Sequence, residues 1–342
     1  MLMPYGVIGD AHLGFKAYDS TRRTEECTWC FEQAVKLLYD KGVRTILQVG
    51  DLIDDTTWPN WVEKAAHAVF NKYSDINFII LGGNHDSTKT YTSVSALDVL
   101  EERHNITIHN SFKIEYGNGY IAIPHMKSQK EFREAVLSID TYADMCMLHS
   151  MTLSKLDLGP NDLNIDQEML DHLTKYCKRI FIGHQHSPVI LNDNVYITGS
   201  TMELNFGELG PRFVYLIDDK VELVPIPQPR LMKRIDISWS GVNDLLDRLH
   251  DLDEQCIYKV VVNYLPHSEY SICLAAIDSV CVNFKGDLIY DLIKVGHEEV
   301  EISHIDANFD LITEFKHFCD DHKALVYLEE AIAELVGEED DI

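Results

Sequence analysis

The stretch FIILGGNHDST, Phe78 to Thr88, decides how the rest of the chain is read. Four apolar residues with the pattern of a buried strand run into two glycines and then into Asn84, His85 and Asp86. Gly-Gly-Asn is good turn chemistry, and Asn or Asp readily caps a following helix. A turn would account for this segment taken alone, but it does not account for the recurrence. YGVIGDAHLG (Tyr5 to Gly14), TILQVGDLID (Thr45 to Asp54), DMCMLHSM (Asp144 to Met151) and RIFIGHQHSP (Arg179 to Pro188) are each a short apolar run ending abruptly in Asp or His. Five short strands therefore end in side chains of the type that ligate metals.

Ligands of α/β sheets collect at the carboxyl ends of the strands, where all five polar clusters fall. Asp10 and His12 lie two apart in an extended segment, so both can point to one side. His184 and His186 repeat that spacing, and Asp51, Asn84 and His149 add one candidate each. Seven N and O ligands exceed the four that one zinc usually takes. They suit two metals about 3.5 to 4 Å apart bridged by one carboxylate, with manganese or iron accepting the mixed set.

Strands and helices alternate up to about residue 140. Strand 6–9 precedes a helix within 21–41, strand 44–49 a helix within 60–73, and strand 77–81 a helix within 93–103. That is an α/β layered pattern. Short strands dominate 106–230 (ITIHN, YIAIP, CMLH, RIFIG, NVYITG, RFVYLID, KVELVPI), with helices within 128–138 and 166–176. PIPQPR, Pro225 to Arg230, reads as a boundary. A small α/β unit follows, with WSGVNDLLDRLHDL as a helix between RIDIS and IYKVVVNYL, and from about 297 the chain reads as a helical, acidic tail. The division expected is 1–230, 231–296 and 297–342.

With 342 residues the chain is long enough for one large domain and something smaller, and its 46% hydrophobic content is that of a globular protein. It shows no apolar run of about 18 residues and no signal-peptide pattern. The expectation is a cytoplasmic protein with no membrane partner. The cysteines agree, since Cys146, Cys256, Cys273 and Cys281 sit in apolar segments where thiols act as small hydrophobes. Cys27 and Cys30 form a lone CTWC inside a helical pattern and read as core residues rather than half a zinc site. The net charge of −27 argues against a nucleic-acid partner, because phosphates need cations. The excess lies late in the chain: residues 231–342 carry 25 acidic and 8 basic side chains.

The ordered set DAHLG, GDLID, GNHD, LHS and GHQH resembles the five signatures of the calcineurin-like metallophosphoesterases. The resemblance implies a double β-sheet sandwich flanked by helices, with a small α/β capping domain and a helical C-terminal tail. It implies that Asp10, His12 and His186 bind one metal, that Asn84, His149 and His184 bind the other, and that Asp51 bridges. His85 is left to act as general acid, with Asp86 orienting its ring as carboxylates behind a functional histidine do. Asp54 either supports the bridging region or caps a helix. Two divalent ions, manganese in this family type, would activate water for in-line attack on a phosphodiester, and His85 would protonate the leaving oxygen.

DAHLG, and NVYITGSTMELNFGE after the GHQH motif, resemble the SbcD-type nucleases of double-strand-break repair and their phage relatives. That likeness implies 3′ to 5′ exonuclease and single-strand endonuclease activity on DNA. It further implies an SbcC-type coiled-coil ATPase partner and a homodimer within a heterotetramer. A stand-alone phosphatase or small-molecule phosphodiesterase on the same site is the alternative. The tail stripe Leu325, Leu328, Ile332, Leu335 and Val336 has helical spacing and either packs on its own domain or binds that ATPase. Lys16, Arg22 and Arg23 are candidate phosphate contacts or solvated surface. Trp58 and Trp61 are candidates for base stacking or for packing, and His125 for the cleft wall.

Overall fold

The computed structural model describes residues 4–17, 21–57, 59–86, 95–153, 162–281, 284 and 287–294. The described residues up to Ile293 belong to one compact unit. Trp58 and the tail with its apolar stripe lie outside the described residues.

The strands in chain order are β1 (Tyr5–Ile8), β2 (Thr45–Gln48), β3 (Asn77–Leu81), β4 (Ile106–His109), β5 (Glu115–Tyr116), β6 (Tyr120–Ile123) and β7 (Ala143–His149). They continue with β8 (Met151–Thr152), β9 (Asn164–Ile165), β10 (Cys177–Gly183), β11 (Val189–Asn192), β12 (Val195–Ile197), β13 (Phe213–Ile217) and β14 (Val221–Pro225). The helices over the same span are α1 (Thr21–Asp40), α2 (Asn60–Lys72), α3 (Gln129–Leu137) and α4 (Gln167–Tyr176). One six-stranded sheet has the order β14-β13-β1-β2-β3-β4, and a second the order β11-β12-β10-β7-β6-β5.

The continuous apolar runs follow from burial on both faces of each sheet. Ile8, Ile46, Phe78 and Ile80 turn outward into a core shared with Phe31, Val35 and Leu38 of α1 and Val62, Ala66 and Phe70 of α2. Their neighbours Val7, Leu47 and Ile79 turn inward against Ala122, Met147, Phe181 and Tyr196 of the second sheet. The second sheet's outer face packs Cys146, Leu148 and Ile180 against Phe132 and Val136 of α3 and Leu170 and Leu173 of α4. The result is the helix–sheet–sheet–helix sandwich that the sequence resemblance implied.

A third sheet, β15 (Leu231–Ser238), β16 (Cys256–Leu265) and β17 (Asp287–Lys294), carries α5 (Val242–His250) and α6 (Tyr270–Cys281). It has its own apolar cluster, built on Leu245, Leu249, Val260, Val262 and Ile277.

One expected element differs. Where a helix was expected within 93–103, the described part is a three-residue 3₁₀ turn, Asp98–Leu100. The Asp98 carboxylate accepts from the Ser95 amide at 2.6 Å, and the Ser95 hydroxyl accepts from the Leu97 amide at 2.9 Å. These side-chain bonds offer the backbone an alternative to a continuing helix. Cys27 and Cys30 are fully buried on α1, as their helical spacing required.

Candidate metal centre

β1, β2, β3, β7 and β10 lie centrally in the two sheets, and their carboxyl ends carry the site. Asp10 follows β1, Asp51 follows β2, Asn84 follows β3, His149 closes β7, and His184 follows β10. Parallel pairing of β10 with β7 sets Gly183 opposite His149. Glycine is required where these loops approach one another, between the sheets at Gly183 and between neighbouring strand ends at Gly83. A Cβ on Gly183 would lie 2.2 Å from the Val49 carbonyl oxygen, and one on Gly83 would lie 2.1 Å from Asp51 Oδ1. Three candidate ligands themselves take left-handed backbone, His12 (φ 45°), Asp51 (φ 50°) and His184 (φ 88°). Such conformations in residues other than glycine concentrate at functional sites, where the surrounding structure holds them.

Among the described residues three groups could each hold an ion: Asp10, His12 and His186; His12, Asp51 and His85; and Asp51, His149 and His184. The Nε2 atoms of His12 and His186 face each other at 3.0 Å. Behind them stand Asp51 Oδ2, 3.7 Å from His12 Nε2, and Asp10 Oδ2, 3.8 Å from His186 Nε2. On the other side His149 Nε2 is 3.2 Å from Asp51 Oδ2. Asn84 Oδ1 sits 2.9 Å from His149 Nε2 and 2.8 Å from His184 Nδ1. All seven predicted ligands are therefore brought together, with Asp51 facing both clusters.

The surrounding contacts fix these rings. His149 Nδ1 meets the Val49 carbonyl oxygen at 3.0 Å, so Nε2 is the atom turned towards Asn84 and Asp51. Asp54 Oδ1 holds His12 Nδ1 at 3.0 Å. Glu208 Oε1 holds His186 Nδ1 at 3.0 Å. Asp54 thus supports a histidine rather than capping a helix. Glu208 was not singled out from the sequence, although it is the last residue of the Phe-Gly-Glu tripeptide quoted there.

Asp86 does not orient the His85 ring. Its carboxylate accepts from the Leu52 amide at 2.8 Å and the Gly83 amide at 2.6 Å, so it braces the two ligand loops against each other. The physical reason is burial, since a fully buried carboxylate takes the backbone donors nearest to it. His85 instead donates from Nδ1 to the Asp54 carbonyl oxygen at 2.7 Å.

The electrostatics match a functional site. Burial would lower His149, but the Asp51 carboxylate beside it lifts its pKa to about 10. Burial resists ionisation of Asp51, and His149 overrides it to hold that carboxyl well below the usual range. Burial and then the charge of His149 push His184 down to about 3 and His125 down to about 4. Burial, then the Asp51 charge, raises Asp86 to about 7. Buried groups driven in opposite directions within one cleft mark a functional site. His125, whose amide donates to the Gly82 carbonyl oxygen at 2.9 Å, lies within the electrostatic reach of His149 and Asp51.

Two expectations about basic and aromatic residues separate here. Arg23 is buried at 1% exposure and pairs with Glu26 at 2.7 Å, so it is neither a phosphate contact nor solvated surface. Its α1 position faces the core, where a guanidinium persists only when paired. Lys16 and Trp61 are exposed.

A sandwich whose central strand ends converge His, Asp and Asn on two adjoining clusters is the architecture of a metal-dependent hydrolase. The profile of the calcineurin-like phosphoesterases matches residues 3–188, and the chain belongs to that family. It is 28% identical over 190 residues to the DNA double-strand break repair protein Mre11 of Sulfolobus acidocaldarius, covering 53% of this chain and 48% of that protein. The protein of the same name from Sulfurisphaera tokodaii is 32% identical over 97 residues, covering 28% of this chain and 25% of that one. The matches thus span about half the length of the first relative and a quarter of the second. A solved structure from Thermus thermophilus aligns with 66% of this chain and 100% of its own at a TM-score of 0.40 and 14% identity. Among the described residues no helix is long and apolar enough to cross a membrane.

Proposed function

We propose that this chain is a two-cation phosphodiesterase acting on DNA, the nuclease subunit of a double-strand-break repair complex. The observation that carries the reading is the convergence of seven N and O ligand atoms from five strand ends on either side of Asp51. The residues fit two cations. Asp10 Oδ1 is buried without a hydrogen-bond partner, and Asp10 shares one cluster with His12 and His186, whose Nε2 atoms converge. Asp10, His12 and His186 would hold one ion, Asn84, His149 and His184 the other, and Asp51 both. Bound there, the ions would supply a water acidic enough to react near neutral pH and would neutralise phosphate charge.

The chain's own groups do the rest. Asp54 and Glu208 set the ring orientation of His12 and His186, and Asp86 fixes the loops that carry Asp51 and Asn84. His85 is half exposed beside the clusters, and its Nδ1 bond to the Asp54 carbonyl leaves Nε2 to deliver a proton to the leaving oxygen. The substrate assignment is supported by the names of the two relatives and by the DAHLG and Phe-Gly-Glu likeness. Manganese as the ion, 3′ to 5′ exonuclease and single-strand endonuclease activity, a coiled-coil ATPase partner, a homodimer within a heterotetramer and a cytoplasmic setting complete the reading. In it, residues 1–230 are the nuclease domain, 231–296 the cap and 297–342 the partner-binding tail.

The test is direct. The purified full chain should degrade linear DNA with manganese and lose that activity with EDTA. Asp51→Ala should abolish it, because both clusters lose their shared carboxylate. Full activity in that variant would overturn the two-cation site. A manganese-loaded wild-type chain that cleaves small phosphodiesters but not DNA would overturn the substrate.

A further inference from the structure

The segment from Ser200 to Arg212 supplies none of the seven candidate ligands, yet it grips the loops that carry Asp10 and His186. The Thr201 amide donates to the Asp10 carbonyl oxygen at 2.8 Å, and the Ser200 amide donates to the His186 carbonyl oxygen at 3.0 Å. Arg212, only 1% exposed, donates to the carbonyl oxygens of both His186 and Glu208. Glu208 Oε1 meets His186 Nδ1 and also accepts from the Asn205 side-chain amide at 2.5 Å.

The same segment is tied to the third sheet. Glu203 is 5% exposed, and its two oxygens accept from different places. One takes the Gly210 amide at 2.7 Å, and the other takes the Met232 amide of β15 at 3.1 Å. The two clusters therefore differ in what supports them. His149 is oriented by the Val49 carbonyl beside β2, inside the sandwich, whereas His186 is oriented by a side chain on a segment pinned to the third sheet.

We propose that Glu208 is a positioning residue for His186, and that Glu203 couples it to β15, so that cation affinity at the Asp10–His12–His186 cluster depends on docking of the third sheet. Affinity at the Asn84–His149–His184 cluster does not. The physical basis is the hydrogen bond at Nδ1, which fixes both the tautomer and the ring direction of a ligating imidazole. This rests on the two-cation reading above.

The experiment is a manganese titration of the full-length chain by calorimetry, with free ion followed by electron paramagnetic resonance. Glu208→Ala should weaken one of two ions by about 10- to 100-fold and leave the other within about twofold. Glu208→Gln keeps an acceptor of the same shape in a partly exposed position, and it should recover most of that loss. Glu203→Gln, which can satisfy only one of the two amides, should weaken the same ion by a smaller factor. Loss of both ions equally, or of neither, in Glu208→Ala would overturn the positioning role. An unchanged titration in Glu203→Gln would overturn the coupling to β15. Fewer than two ions on the wild-type chain would instead overturn the two-cation reading.

Discussion

At the residue scale the proposed ligands and the proposed general acid differ in burial and in how they are held. His149 is fully buried with both ring nitrogens engaged, whereas the His85 side chain is 43% exposed with one backbone bond. His85 nevertheless stands close enough to His12 and Asp51 to be a ligand itself. Metal counting on two variants distinguishes the roles. His149→Ala should lose one ion. His85→Ala should retain both and slow cleavage by about 10² to 10⁴, the usual worth of a positioned general acid. Loss of an ion from His85→Ala would make it a ligand. The sequence offered all of these residues as candidates because their chemistry is local to each strand end. It misdirected Asp86, because one partner of that buried carboxylate, the Leu52 amide, lies 34 residues away in the chain.

At the element scale α1 does more than cover the first sheet. Glu26 on this helix takes Arg23 and also Arg230, and Arg230 reaches Asp287 of β17 at 2.8 Å. A buried chain of alternating charge thus joins α1 to the third sheet. Breaking a buried ion pair by removing one partner leaves an uncompensated charge and costs about 3 to 5 kcal/mol. Glu26→Ala removes the shared carboxylate from two buried guanidinium groups, leaving Arg230 with Asp287 and Arg23 with the Glu203 carbonyl, and urea unfolding should show a loss towards the lower end of that range. A change under about 1 kcal/mol would mean that water satisfies the arginines. The helix itself was legible from its apolar spacing. Its arginine was not, because periodicity does not say that the polar face of α1 is covered by a segment 180 residues later in the chain.

At the scale of the whole molecule, acidity and partner choice meet. The −27 net charge opposes unaided association with a polyanion, so the proposed ATPase partner would have to supply DNA affinity. The last residues carry an aliphatic stripe at helical spacing, and helix-in-groove contacts use such stripes. Deleting residues 324–342 should abolish association with the coiled-coil ATPase and ATP-stimulated duplex degradation. Manganese-dependent cleavage of single strands should survive, since all seven candidate ligands precede residue 190. A pull-down and a thermal unfolding curve on the truncated chain decide the matter. Retained association with a lowered melting temperature would assign the stripe to self-packing.

The sequence by itself determined the strand ends, the seven ligand candidates and the layered α/β class. Apolar runs and the polar residues that stop them are written consecutively in the chain, and five ordered motifs fix their relation. Only the tertiary structure decided that Asp54 and Glu208 hold His12 and His186, that Asp86 braces loops, and that Arg23 is buried. Those roles depend on contacts spanning 22 to 180 residues. The direction and burial of a polar side chain are set by what packs against it from elsewhere, and a one-dimensional pattern carries no record of that.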